Sequence, residues 1–145
     1  MIDDIILNKV ESVERCIRQI RLYDRIPSEV PFYKDYYKQD AILLNLQRAI
    51  ELCIDVANHI VRVHKIGIPK ESRDAIQLLI ERLIISESTG IRLKGMIGFR
   101  NIAIHEYQKV DIRIFRSIID DRLDDFERFT SEIIRSMSNN ESMRD

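Results

Sequence analysis

The sequence predicts an all-α protein, an antiparallel bundle of four long helices and one short helix. Three observations carry that expectation. Apolar residues recur every three or four positions over long stretches, the period of one helix face. Only four glycines and three prolines occur in 145 residues, too few to turn an all-β chain at each strand end. Apolar residues make up 45% and charged residues 32%, with a formal net charge of −1, which is enough oil for a core and too balanced for a disordered chain. The length suits a single domain, expected over 1–137, with 138–145 as a polar, frayed tail.

The first helix is expected from about Asp3 to Arg25, with Ile6, Val10, Val13, Ile17 and Ile20 on its inner stripe. Pro27 and Pro31 end it and force an extended connection. The aromatic stretch Phe32–Tyr37 leads into a second helix reaching about Lys65, its stripe being Ile42, Leu46, Ala49, Ile50, Cys53, Ala57 and Ile60. Gly67 falls where a C-cap belongs, with Pro69 just beyond. A short third helix spans about Glu71 to Ile85, with Ile76, Leu79, Ile80 and Leu83 inward. Ser86 offers N-cap chemistry for a fourth helix, about Glu87 to Ile104, with Leu93, Ile97 and Ile104 on one face and Met96, Phe99 and Ala103 on the adjoining one. Gly90, Gly95 and Gly98 fall inside it and point to close approach by another helix or to a local distortion. Asp111 caps a fifth helix reaching about Met137, with Phe115, Ile119, Leu123, Phe126, Ile133 and Met137 inward.

Composition also excludes several roles. Balanced charge excludes coating nucleic acid by bulk positive charge, though not a local basic site. Cys16 and Cys53 lie inside apolar stripes, where they read as small buried hydrophobes in a reducing cytoplasm. No Cys-x-x-Cys anchors a zinc site. The start, Met1-Ile2-Asp3-Asp4, is acidic where a signal peptide is basic, and no run approaches the ~18 apolar residues of a membrane span. The expected setting is the cytoplasm, with no membrane partner.

Three constellations compete for chemistry. Glu51, Asp55 and His59 stand at i, i+4 and i+8 and share a helix face. No Glu-x-x-His accompanies them, however, and they read as a solvated polar stripe with no metal. Neither cysteine has a base beside it in a nucleophile pattern. The third is Phe99-Arg100-Asn101-Ile102-Ala103-Ile104-His105-Glu106-Tyr107. Arg100 stands three after Ile97 and four before Ile104, a place the stripe reserves for an apolar residue. A guanidinium stays charged, so it needs an anion or good acceptors there, and a Glu or Asp across the bundle would serve.

Arg-x4-His-x-Tyr, with Asn101 after the arginine, resembles the signature of the HEPN superfamily and most closely its HepT-like toxins. Ala49–Ile60 looks like that family's second helix, Gly67-Ile68-Pro69 like its following turn, and Gly98–Asn101 with His105–Tyr107 like its catalytic segment. The resemblance covers most of the chain in the expected order. It implies a metal-independent endoribonuclease without a cofactor, acting on mRNA or tRNA as the toxin of a toxin–antitoxin system. Arg100 and His105 would be catalytic and Asn101 accessory. The 2′-hydroxyl of RNA is the nucleophile, a histidine moves the proton, and an arginine holds the phosphate. The resemblance further implies a homodimer, and a MntA-like nucleotidyltransferase that AMPylates Tyr107; a larger assembly with that antitoxin stays open. A phosphate on Tyr107 would then occupy the site of the RNA phosphate.

Helix geometry adds a constraint. At 100° per residue Tyr107 would lie about 20° from Arg100, and His105 about 140° away. Either the helix loosens near Ile104, or His105 works with the Arg100 of a second chain. Residues 85–116 carry six basic and three acidic residues, whereas 117–145 carry four and eight. Lys109 and Arg113 are therefore candidate RNA contacts. The alternative is a non-catalytic module that binds a nucleotide or a partner in the same cleft.

Overall fold

The computed structural model describes residues 2–142, with side chains over 2–139. Among the described residues the backbone forms six α-helices and no strand: α1 (Asp4–Arg25), α2 (Tyr36–Val63), α3 (Ser72–Glu81), α4 (Glu87–His105), α5 (Ile112–Asp121) and α6 (Asp124–Ser142). Single 3-10 turns at Phe32–Lys34 and Tyr107–Lys109 precede α2 and follow α4.

Side-chain pairs fix the directions. Near the start of α1, Asp3 and Lys9 reach His59 and Asp55 late in α2, while Lys38 early in α2 donates to the carbonyl of Ile26 just past α1. These two helices are antiparallel, and among the described residues no other helix pair packs so extensively. Arg21, late in α1, pairs with Asp124 and Glu127 at the start of α6. Along α4, Arg92 meets Asp125 while Thr89, nearer its start, donates to Glu132 farther along α6, so this pair is antiparallel too. Every residue assigned from sequence to the inner stripes of the first two helices is buried. Among the described residues no helix is long and apolar enough to cross a membrane.

The helix ends differ from expectation in instructive ways. Gly67 does not terminate α2. Lys65 takes the left-handed conformation, φ 52°, and Ile66 and Lys65 donate back to the Val61 and Arg62 carbonyls. The same paired bonds end α3, where Leu83 is left-handed at φ 58°. This turn satisfies the last carbonyls whatever residue occupies it, and it usually selects glycine because a Cβ there costs about 1–2 kcal/mol. The third helix therefore stops at Glu81, short of Ile85, and Leu83 is 87% exposed while Ile84 and Ile85 turn into the core. The expected fifth helix is two, α5 and α6, broken at Arg122–Leu123. Asp124, Asp125 and Glu127 place three acids in the first turn of α6, where a helix N-terminus favours negative charge. The last turn of α6 reaches Ser142, inside the segment expected to fray, and 143–145 lie outside the described residues.

One of the three α4 glycines, Gly90, answers to close approach by another helix, whereas Gly98 meets only the movable end of a side chain. A Cβ at Gly90 would collide with Ile80 of α3, and one at Gly98 would come within 2.7 Å of Arg73 Nη2. Gly95 faces open space. The Phe115 ring stacks near Phe32 and Phe99, at 5.6 and 5.8 Å, and seats the C-terminal half of α4.

Candidate active site

Arg100 projects from α4 toward the start of α3 and the middle of α2. Its Nη1 donates to Glu51 Oε1 at 2.5 Å and its Nη2 to Ser72 Oγ at 3.4 Å. The side chain is only 14% exposed, and its Nε is buried without an acceptor among the described residues. Leaving a buried donor unmatched costs about 1–3 kcal/mol. The carboxylate that a guanidinium at an apolar position needs is thus Glu51, but the match is incomplete.

Glu51, Asp55 and His59 do not act together. Glu51 takes Arg100, Asp55 takes Lys9 at 3.6 Å, and His59 meets Asp3 Oδ2 at 2.6 Å. His59 is buried, so the stripe is not the solvated one expected. Among the described residues no group of three His, Cys, Asp or Glu side chains is placed to hold a metal ion. Cys16 and Cys53 are both buried, and burial pushes both thiols up from the usual cysteine range, which removes nucleophilic character at neutral pH.

The helix does not loosen at Ile104. α4 stays helical through His105, and the chain leaves it only at Glu106, with φ −141° and ψ 55°. His105 is therefore turned about 140° from Arg100 around the axis. Its imidazole is exposed and makes no hydrogen bond among the described residues. Ile104, expected inward, is 48% exposed beside it. Tyr107 is no longer on the helix, so the expected 20° relation to Arg100 does not hold. Instead the 3-10 turn carries its phenol to α2, where it donates to Asp40 Oδ1 at 2.9 Å. That carboxylate, with partial burial, holds the Tyr107 phenol above the usual tyrosine range. Asn101 is half-buried beside Arg100 in sequence. Lys109 is exposed and loosely paired with Glu106 at 3.5 Å, and Arg113 is 90% exposed and leans on Asp111.

A groove of about 730 Å³ runs between α1 and α2 and ends against Ile104. Glu51 lies in its wall, with Arg15 and Arg48 as exposed cations. Sequence reasoning did not single out Asp40, Arg15 or Arg48. Glu51 was visible only as part of the polar stripe, although its place three residues before the buried Ile54 puts it at the edge of the buried face.

The family model described as ribonuclease HepT-like matches residues 13–133. The chain belongs to the HepT-like family. It is 42% identical over 131 residues to the mRNA nuclease HepT of Shewanella oneidensis, covering 90% of this chain and 97% of that protein. Its fold matches a tri-AMPylated Shewanella oneidensis HEPN toxin in complex with MNT antitoxin, with a TM-score of 0.86, 41% identity and coverage of 92% of this chain and 99% of that one. A toxin–antitoxin crystal structure with AMP-PNP matches with a TM-score of 0.85 at 41% identity, covering 91% of this chain and 99% of that one. In this HepT-like chain the signature thus falls on a regular helix end followed by a tight turn. The turn separates the three signature side chains into three environments: one tied down, one free, and one handed to α2.

Proposed function

We propose that this chain is the toxin of a toxin–antitoxin pair, a metal-independent endoribonuclease acting on mRNA or tRNA in the cytoplasm as a homodimer. A MntA-type nucleotidyltransferase silences it by adenylating Tyr107. The observation that carries the reading is Arg100, a guanidinium incompletely satisfied among the described residues and fixed five residues before a histidine that has no partner among them, at a helix end. The relatives named above support the substrate class and the partner.

The chemistry follows from these groups. One His105 takes the proton of the ribose 2′-hydroxyl as its oxygen attacks the adjacent phosphorus. A second His105, from the other chain, protonates the departing 5′-oxygen. Arg100 neutralises the extra charge on the phosphorane. The products are a 2′,3′-cyclic phosphate and a 5′-hydroxyl. The 140° separation of Arg100 and His105 within one chain supports a cleft that two chains complete. Lys109 and Arg113, both exposed, follow the RNA backbone, and Asn101 orients the phosphate. Adenylated Tyr107 blocks this cleft with its own phosphate and bulk.

Expression of wild type, Arg100→Ala and His105→Ala in cells tests the reading. Growth arrest by wild type alone is expected. Equal toxicity of all three, or none, overturns the nuclease and favours the binding module.

A further inference from the structure

Exposure does not explain why Tyr107 should be the residue modified. Of five tyrosines, Tyr33, Tyr36 and Tyr37 are 58%, 68% and 93% exposed, against 52% for Tyr107. What distinguishes Tyr107 is its partner. Among the described residues it is the only tyrosine whose phenol donates to a carboxylate, Asp40 Oδ1 at 2.9 Å.

We propose that Asp40 is the general base for the modification, taking the phenol proton as Tyr107 Oη attacks the α-phosphorus of a nucleoside triphosphate. This rests on the reading of Tyr107 as the adenylate acceptor. The Oη–phosphorus bond forms and the bond from the α-phosphorus to the oxygen bridging it to the β-phosphate breaks. Inorganic diphosphate leaves with that electron pair, and the proton resides on Asp40. The triphosphate and its metal come with the partner enzyme, and the toxin brings both the nucleophile and the base.

The geometry meets what the step requires. The donor–acceptor distance is within direct proton-transfer reach, about 2.6–3.2 Å. Asp40 sits on α2, so a rigid helix rather than a loop holds the base, while Tyr107 rides on a short turn whose backbone is pinned by Lys109 N–H to Glu106 and Val110 N–H to Tyr107 bonds. A phenol is protonated at neutral pH in any case, and Asp40 holds this one above its ordinary range. Attack by a pre-formed phenolate is thereby disfavoured, and the proton must leave during bond formation. The same bond selects the site: of the exposed phenols among the described residues, only that of Tyr107 has a carboxylate to accept its proton.

The test incubates the full chain with ATP, magnesium and the partner nucleotidyltransferase and follows intact mass over time. Wild type gains adenylate. Asp40→Asn keeps an acceptor oxygen but not the basicity, and its rate falls by about 100-fold or more. Asp40→Glu keeps a carboxylate and retains a rate between the two. Both variants bind the partner with wild-type Kd, which separates a lost base from a lost fold or interface. Modification of Asp40→Asn at the wild-type rate, with Tyr107 still the acceptor, overturns the base alone. A wild type that gains no adenylate, or gains it equally as Tyr107→Phe, overturns the acceptor reading beneath it.

Discussion

Two half-buried arginines in this molecule are treated very differently. Arg116 on α5 donates to both oxygens of Asp24 at 2.8 and 2.9 Å, to Asp120 at 2.7 Å, and lies 4.6 Å over the Phe32 ring. Those partners hold its guanidinium firmly in the charged form. Arg100 on α4 has one carboxylate, one long bond to a serine hydroxyl, and a buried Nε with no acceptor. Arg116 is 30% exposed and Arg100 only 14%, so the more buried cation is the less satisfied one. A guanidinium kept for stability is saturated by its own chain. Arg100, proposed above to take a phosphate, is left with one buried donor unmatched among the described residues, and the fold carries that cost.

Mutation can break this comparison. Arg100→Ala should lower RNA cleavage by about 10²–10³-fold, as loss of a charge-stabilising donor does elsewhere. Its unfolding free energy should stay within about 1 kcal/mol of wild type, because it loses one ion pair whose carboxylate is 45% exposed and sheds an unmatched donor. Arg116→Ala should do the reverse. Cleavage stays at the wild-type rate while stability falls by about 1–2 kcal/mol, discounted for partial exposure. Chemical denaturation beside a cleavage assay checks both, and a variant that loses both properties erases the distinction.

The contrast sharpens along α4 itself. Gly90→Ala should destabilise by about 1–3 kcal/mol, since its methyl meets the Ile80 side chain. Gly95→Ala has nothing within 4 Å and should stabilise by about 0.4–1 kcal/mol through helix propensity and a less free unfolded chain. Thermal melts of the two separate the tight face of this helix from its open one.

A smaller effect concerns Asp3. His59 and the Ile5 N–H hold its carboxyl below the usual aspartate range. A carboxylate with a lowered folded-state pKa stabilises the fold above its unfolded value, near 3.8, and loses that contribution as pH falls through the depressed value. Asp3→Asn keeps the helix cap but not the charge, so its stability should depend less on pH below about 4 than that of wild type. Acid titration of the melting midpoint reads the difference, and identical acid limbs would contradict it.

The inner stripes of α1 and α2 were legible because a period of 3.6 has a single physical reading once it runs for about four turns or more. Stops were less so. Lys65 and Leu83 adopt a conformation that sequence reasoning assigns to glycine, because the chain's own return bonds and the burial of Ile84 and Ile85 outweigh the local strain. The α5–α6 break was hidden because Ile119, Leu123 and Phe126 keep helical spacing straight through it. At the site, the motif named Arg100, His105 and Tyr107, but the partners of Arg100 and Tyr107 come from far along the chain. Glu51 and Asp40 lie 49 and 67 positions away, and no local pattern announces such a pairing. The turn at Glu106 was equally silent, and it carries Tyr107 to α2.

The central claim is that Arg100 and His105 act on a phosphodiester whose own 2′-hydroxyl is the nucleophile. Cleavage of a defined RNA by wild type, Arg100→Ala and His105→Ala in excess chelator, with the new termini identified, tests it most directly. The account predicts chelator-resistant cleavage by wild type leaving 2′,3′-cyclic phosphate and 5′-hydroxyl ends, and near-absence of both products with either variant. Cleavage that stops in chelator, leaves 3′-hydroxyl ends, or persists at the wild-type rate without Arg100 would contradict it.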